Sequence, residues 1–128
     1  MSQEPLRIVV ADDNVDSADS MAAYLRLCGC EVVAVYRAID VVSRAVEFEP
    51  HLIFLDIVMP ALDGYQLARR IRATPSLADM KIVALTGLAR PEERRKGAEA
   101  GFDGYLIKPV DPAEIDRLID GLRPATES

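Results

Sequence analysis

Residues 52–56 have the sequence Leu-Ile-Phe-Leu-Asp, four apolar side chains in a row followed by one carboxylate. An uninterrupted apolar run of this length is typical of a strand that is buried on both faces, as the central strands of parallel sheets are. Pro50 precedes the run, and the Asp63-Gly64 pair that follows it is a turn signal, so the predicted strand has clear limits. A strand buried on both faces predicts a sheet with helices packed on each side.

Apolar runs and amphipathic segments alternate along the rest of the chain. Besides 52–55, strands are predicted at about 6–11, 31–36, 81–85 and 104–107, and helices at about 15–28, 39–48, 64–73, 91–100 and 112–122. Short connections between alternating strands and helices imply right-handed crossovers. The predicted fold class is therefore α/β, a doubly wound parallel sheet of five strands with five helices.

Length and charge narrow the range of functions. The 128 residues are expected to form one domain, 1–128, with a core at about 6–122 and short loose tails. The net charge of -6 argues against direct binding to nucleic acid or to anionic membrane surfaces, because both attract basic proteins. No apolar stretch approaches the roughly 18 residues that a membrane span requires, and the N-terminus lacks the features of a signal peptide. A cytoplasmic location without membrane insertion is expected.

Reactive side chains are expected at one edge of this sheet, because ligands of open parallel sheets bind beyond the carboxyl ends of the strands. The residues at these strand ends provide three carboxylates, one hydroxyl and one ammonium: Asp12, Asp13, Asp56, Thr86 and Lys108. Each of them alone has an ordinary structural interpretation, since Asp-Asp and Thr-Gly pairs are common in turns and helix caps. Their joint occurrence at successive strand ends favours a functional site.

Three neighbouring carboxylates repel one another unless a cation lies between them. Oxygen ligands suit a hard ion such as Mg²⁺ better than zinc. With Asp12 and Asp13 neutralised by the metal, Asp56 could attack phosphorus as a covalent nucleophile. Lys108 and the hydroxyl of Thr86 would then hold the phosphoryl oxygens.

Five motifs resemble those of the receiver domain of bacterial response regulators, the CheY-like domain of two-component phosphorelay systems. They are Val-Ala-Asp-Asp at 10–13, Leu-Asp-Ile-Val-Met-Pro at 55–60, Asp-Gly at 63–64, Leu-Thr-Gly at 85–87 and Tyr-Leu-Ile-Lys-Pro at 105–109. The resemblance extends over about residues 6–122. It implies a flavodoxin-like sheet with the strand order 2-1-3-4-5 and a phosphorylation-activated signalling switch.

The resemblance also implies individual roles for the site residues. Asp56 would be the phosphoacceptor, and Asp12, Asp13, Asp56 and the backbone carbonyl of Val58 would bind Mg²⁺. Thr86, Gly87 and Lys108 would bind the phosphoryl group. The Lys108–Pro109 peptide bond would be cis, an isomer almost confined to proline.

A threonine and an aromatic residue carry the switch in such receivers, and here they correspond to Thr86 and Tyr105. Thr86 would move towards the phosphoryl group, Tyr105 would turn into the space left behind, and the surface around the fourth helix, fifth strand and fifth helix would change. Tyr105 could also be a half-buried aromatic without this role. The fourth helix is polar and has Gly97 in its interior, which costs about 1 kcal/mol relative to alanine and favours mobility.

Two positions that vary within the family, Val58 and Leu88, are apolar here. They would give little help to an attacking water molecule, so we expect slow hydrolysis of the phosphorylated Asp56.

The partners implied are a histidine kinase or histidine phosphotransfer protein as phosphoryl donor and a downstream protein as target. Self-phosphorylation and self-dephosphorylation would be the only chemistry, so the chain is not expected to be an enzyme in the usual sense. It would be either a stand-alone regulator or a receiver from a larger protein. Residues 62–70 and 109–111 are similar to receivers of hybrid sensor kinases.

Three other functions would use a nucleophilic aspartate or the same fold. A phosphatase of the haloacid dehalogenase type needs a second Asp two residues after the nucleophile, where this chain has Val58. A flavodoxin-like flavin binder needs Ser, Thr and Gly in its first loop, whereas residues 12–14 are Asp-Asp-Asn and would repel a phosphate. A receiver-like module that binds proteins without phosphorylation stays open as the alternative.

Overall fold

Alternating strands and helices build a three-layered α/β fold with the sheet in the middle. The computed structural model describes residues 5–59, 63–87 and 90–122 of the chain. The strands are β1 (Arg7–Ala11), β2 (Glu31–Val35), β3 (Leu52–Asp56), β4 (Lys81–Thr86) and β5 (Gly104–Ile107). The helices are α1 (Val15–Leu27), α2 (Val41–Phe48), α3 (Gly64–Ala73), α4 (Pro91–Ala100) and α5 (Pro112–Leu122). Short 3-10 turns lie at Ala38–Asp40 and Pro75–Leu77.

All paired strands of the sheet are parallel, and their order is β2-β1-β3-β4-β5. This confirms the predicted fold class and strand order. The chain moves outwards from β1 to β2 and then returns past β1 to β3, so the strand order reverses between β1 and β3. Ligands of such sheets bind outside the carboxyl ends of the strands at this reversal.

The uninterrupted apolar sequence of β3 is explained by its central position. All five of its residues are buried. Ile53 and Leu55 pack on the side of α2 and α3, whereas Leu52 and Phe54 pack with α1 and α5 on the other side. Successive side chains of a strand point to opposite faces. Each face of β3 therefore supplies one of the two apolar cores.

The helix limits follow the predicted signals closely: α1 ends one residue before its predicted end, and α2 starts later than predicted. Asn14 caps α1 by accepting a hydrogen bond from the backbone N–H of Ser17, and Asp63 caps α3 in the same way. The predicted helix at 39–48 begins instead as the 3-10 turn Ala38–Asp40, and α2 proper starts at Val41. Such turns are frequent at helix ends. No helix in the described ranges is long and apolar enough to cross a membrane.

Arg72, in the last turn of α3, joins three parts of the fold at the end of the sheet opposite to Asp56. Its guanidinium donates hydrogen bonds to the carbonyl of Gly101 just after α4, at 2.7 and 3.1 Å. It also donates to the carbonyls of Ala78 and Met80 before β4. A 2.7 Å ion pair with Asp103 completes the set. Arg72 therefore fixes the C-terminal end of α4 to α3 and to the start of β4.

Replacing this guanidinium should be costly because it leaves several carbonyls without their donor. We expect Arg72→Met to lower the free energy of unfolding by about 2–3 kcal/mol, measured by urea denaturation. Arg69→Met is the matched control, since Arg69 is exposed on the same helix. It should change the stability by no more than about 0.5 kcal/mol. Equal losses in the two variants would contradict the assigned role of Arg72.

Candidate functional site

The three predicted carboxylates meet at the carboxyl end of the sheet. Asp56 is the last residue of β3, and Asp12 and Asp13 directly follow β1. One carboxylate oxygen from each of them lies within 4.8 Å of the other two. Asp12 and Asp56 are buried, with 2% and 7% of their surface exposed, whereas Asp13 faces the solvent. The convergence expected from the strand ends is therefore present.

Backbone groups hold the two buried carboxylates in place. The N–H of Asp12 donates to the carbonyl of Val35 at the end of β2, at 3.0 Å. One oxygen of its side chain accepts from the N–H of Asn14 at 3.0 Å. Asp56 accepts similarly from the N–H of Val58, at 3.1 Å. These contacts orient the carboxylates without neutralising them.

Lys108 brings a positive charge to the same place. Its Nζ lies 3.3 Å from Oδ2 of Asp12 and 3.2 Å from Oδ2 of Asp56. Its backbone N–H donates to the carbonyl of Thr86 at 2.7 Å, which positions the start of the loop after β5. The Lys108–Pro109 peptide bond is cis, in agreement with the expectation.

Burial and neighbouring charges shift the pKa values of Asp56 and Lys108. Burial raises the pKa of Asp56, and its interaction with Asp12 raises it further, although the Val58 N–H and Lys108 act in the opposite direction. Burial by itself would lower the pKa of Lys108, but its hydrogen bond to Asp56 and the charges of Asp56 and Asp12 raise it. The raised pKa of Lys108 reflects the negative charge of Asp56 and Asp12 around its ammonium, whereas the raised pKa of Asp56 comes first from burial.

The donor set fits a divalent metal ion. Three carboxylates against one ammonium leave two negative charges uncompensated, which matches the charge of Mg²⁺. The donors are oxygens, the ligands that Mg²⁺ prefers. The carbonyl of Val58 stays a predicted ligand, because nothing in the geometry tests it.

Thr86 and Gly87 lie at the end of the neighbouring strand. Thr86 is the last residue of β4 and is 9% exposed, and β4 pairs with β3 with Leu85 opposite Asp56. Gly87 follows in an exposed bend. Both are on the same edge of the sheet as Asp56, as predicted. Val58 is 78% exposed on that edge, whereas Pro60 and Leu88 lie outside the described residues.

Tyr105 points to α4. Its hydroxyl donates to the backbone carbonyls of Glu93 and Arg94, at 3.1 and 2.8 Å. Its ring meets that of Phe102 edge-on, with 5.9 Å between the centroids. The sequence placed Tyr105 on β5 but did not reveal this contact with α4. The sequence feature related to this contact was Gly97, because glycine is unfavourable in the interior of a helix.

A groove with a volume of about 500 Å³ opens beside the carboxylates, and it was also not expected from the sequence. It runs between α1 and the segment after β5. Asp12 and Lys108 line its inner end, while Met21, Tyr24 and Ile115 make much of its wall apolar. The groove therefore extends from α1 to Asp12 and Lys108 of the candidate site.

Comparisons with known proteins agree with this geometry. The family model of the response regulator receiver domain matches residues 8–120. A 14.6 kDa protein of Leptolyngbya boryana is 37% identical over 88% of this chain and 86% of its own length. The transcriptional regulatory protein PrrA of Mycobacterium tuberculosis is 37% identical over 91% of the chain, which spans only 49% of PrrA.

Solved structures show the same likeness. The receiver domain of the sensor histidine kinase PA1611 from Pseudomonas aeruginosa, solved with a magnesium ion in its active-site cleft, has a TM-score of 0.83 and 32% identity. The alignment covers 93% of this chain and 98% of that one. The chemotaxis protein CheY4 of Vibrio cholerae has a TM-score of 0.88 at 21% identity, over 94% of this chain and 100% of that one, and shows the fold alone.

The raised pKa of Asp56 predicts a pH dependence of stability in the absence of Mg²⁺. Folded Asp56 binds a proton more readily than unfolded Asp56, so this group favours folding at low pH, and the contribution is lost as pH rises through its folded pKa. We therefore expect Asp56→Asn, which has no charge to bury, to be more stable than the wild type at about pH 7. Its advantage should shrink as the pH is lowered.

Urea denaturation in the presence of EDTA, repeated at several pH values, measures this difference. An advantage of Asp56→Asn that stays constant or grows towards low pH would contradict the assigned electrostatics.

Proposed function

Because the chain belongs to the response regulator receiver domain family, we propose that it is a phosphorylation-activated signalling switch with Asp56 as its phosphoacceptor. The observation that supports this most directly is the meeting of Asp12, Asp13 and Asp56 with Lys108 at the point where the strand order reverses. A purely structural role would not explain why two of these carboxylates are buried, because their repulsion lowers the stability of the fold.

In the proposed reaction, a carboxylate oxygen of Asp56 attacks the phosphorus of a phosphohistidine. The new bond joins that oxygen to phosphorus, the P–N bond breaks, and the histidine nitrogen leaves with the electron pair. Asp12, Asp13 and Asp56 would hold Mg²⁺, with the Val58 carbonyl as a further ligand. When bound, the ion would neutralise the negative charge of the carboxylates and of the phosphoryl oxygens.

Lys108 has a role on both sides of this reaction. It contacts Asp12 and Asp56 in the structure, and it can turn its ammonium to a phosphoryl oxygen once the Asp56 carboxylate has become an acyl phosphate. The hydroxyl of Thr86 and the backbone N–H of Gly87, on the adjacent strand end, would bind the remaining oxygens. These groups position the transferred group and require no general acid.

The output would come from the surface formed by α4, β5 and α5. A phosphoryl group adds about -1.5 to -2 charges and strong hydrogen-bond acceptors next to Thr86. Thr86 would move towards it, and Tyr105 would change position, which alters the surface that a downstream protein contacts. The hydrogen bonds of Tyr105 to α4 support this link between the site and the helix.

The phosphoryl donor would be a histidine kinase or a histidine phosphotransfer protein. The groove beside Asp12 and Lys108 offers an apolar surface within reach of Asp56 on which such a donor can rest. The chain spans about half the length of several curated relatives, including PrrA, and nearly all of the PA1611 receiver domain. A stand-alone regulator and a receiver of a hybrid sensor kinase are both compatible with this pattern. No multiple-turnover enzymatic activity is proposed.

The main test is the intact mass of the protein after incubation with acetyl phosphate and Mg²⁺. We expect the gain of one phosphoryl group by the wild type, and no gain by Asp56→Asn or in the presence of EDTA, because both the nucleophile and the cation are needed. If acetyl phosphate does not phosphorylate the protein, the incubation is repeated with phosphorylated histidine donors. If these also fail and Mg²⁺ does not bind, the phosphorylation-independent binding module becomes the better proposal.

The lifetime of the phosphorylated form tests the two apolar positions. The double variant Val58→Asn, Leu88→Glu introduces polar side chains at these two positions, which would help a water molecule to attack phosphorus. We expect it to lose its phosphoryl group several-fold faster than the wild type, as followed by intact mass over time after removal of the donor. A wild-type lifetime shorter than that of the variant would contradict this assignment.

A further inference from the structure

Gly97 lies in the interior of α4, is buried, and leaves a gap that another side chain fills. A Cβ atom at this position would overlap the hydroxyl oxygen of Tyr105. It would also lie 2.8 Å from Cζ of Tyr105 and 2.6 Å from Cδ2 of Phe102. We call this space the Gly97 gap. An alanine cannot occupy position 97 while Tyr105 keeps the position seen here.

Helix propensity does not explain the glycine. Glycine is among the least favourable residues in a helix interior, and alanine is the most favourable. The same helix uses alanine at positions 98 and 100. A glycine at 97 is therefore best explained by the room that it gives to Tyr105 and Phe102.

Tyr105 is held in the Gly97 gap by contacts with α4 itself. Its hydroxyl donates to the carbonyls of Glu93 and Arg94, one turn before Gly97. The guanidinium of Arg94 lies 5.9 Å from the centre of the Tyr105 ring, within the range of a cation–π contact. The position of Tyr105 and the backbone of α4 therefore depend on each other.

A second, independent feature of this aromatic cluster is a buried hydroxyl whose hydrogen bond is not made within the described residues. Tyr65 packs against Phe102 with 5.6 Å between ring centroids, and its hydroxyl is buried without a hydrogen-bond partner in the described part of the chain. Unsatisfied buried hydroxyls are rare and cost stability. The aromatic cluster under α4 is thus not fully satisfied in the arrangement observed.

We propose that Gly97 is a positioning residue for Tyr105: its missing side chain creates one of the two positions between which Tyr105 moves. The occupied gap ties the first two turns of α4 to β5, and Arg72 independently holds the other end of the helix through Gly101. When Tyr105 leaves, the carbonyls of Glu93 and Arg94 lose its hydroxyl and the gap empties. That Tyr105 moves rests on the proposed switch function, whereas the role of Gly97 in making room for Tyr105 does not.

A double-mutant cycle tests the gap without phosphorylation. Gly97→Ala is expected to lower the melting temperature in the wild-type background, although the same change in an ordinary helix raises stability. Together with Tyr105→Ala, Gly97→Ala should lower it much less or raise it. Ala98→Gly is the matched control, because it changes the glycine content at an exposed neighbouring position and should act equally in both backgrounds.

The outcomes of the cycle are decisive. An equal effect of Gly97→Ala with and without Tyr105 would overturn the proposal. If Gly97→Ala does not fold, folding of the double variant with Tyr105→Ala supports the proposal, and failure of both variants overturns it.

The positioning role of Gly97 is then tested through the NMR resonance of Tyr105. Protein labelled with 3-fluorotyrosine gives a ¹⁹F resonance for Tyr105, assigned by its disappearance in Tyr105→Phe. In the wild type, beryllofluoride with Mg²⁺ should shift this resonance. In Gly97→Ala, the resonance should already be displaced without beryllofluoride, and the further shift should be less than half of the wild-type shift.

Failure of this proposal and failure of the proposed function give different results. A Tyr105 resonance that is the same in Gly97→Ala and the wild type, with the same response to beryllofluoride, would overturn the positioning role. If Asp56 is not phosphorylated at all, the function fails while the cycle still decides whether the Gly97 gap holds Tyr105.

Discussion

Lys108 Nζ lies within 3.3 Å of both Asp12 and Asp56, and this double contact joins the loop after β5 to the ends of β1 and β3. Two buried carboxylates side by side would otherwise repel each other in a region of low dielectric. One ammonium only partly balances them, so the pKa of Asp56 stays raised by burial and by Asp12. The site is thereby left with negative charge that favours a bound cation.

The contacts of α4 with the rest of the fold differ between its two ends. At its C-terminal end Arg72 fixes it to α3 and β4, far from the carboxylates. In its interior the contact with Tyr105 is different in kind, because it is made by one side chain that can rotate. The C-terminal end of α4 is therefore held by a network of hydrogen bonds, whereas its first turn contacts β5 through the hydroxyl of Tyr105.

Several helices were predictable because residues that favour helix starts and helix ends stand at their limits. Asp63-Gly64 marks the start of α3, Pro91 and Gly101 mark the two ends of α4, and Pro112 begins α5. The predicted limits of these three helices agree with the structure. The predicted start of the second helix, residue 39, was two residues too early. Residues 38–40 have helical periodicity, but the chain forms a 3-10 turn there, and periodicity does not distinguish the two.

The sequence by itself determined the meeting of Asp12, Asp13, Asp56 and Lys108 and the position of Thr86, because parallel strands bring all their carboxyl ends to one edge. The strand order came from the family resemblance, and the structure confirms it. Only the tertiary structure decided how Tyr105 meets α4, why position 97 is glycine, and which carbonyls Arg72 holds. These contacts join side chains to backbone atoms of other elements. Their geometry depends on how the helices pack against the sheet, which local patterns do not specify.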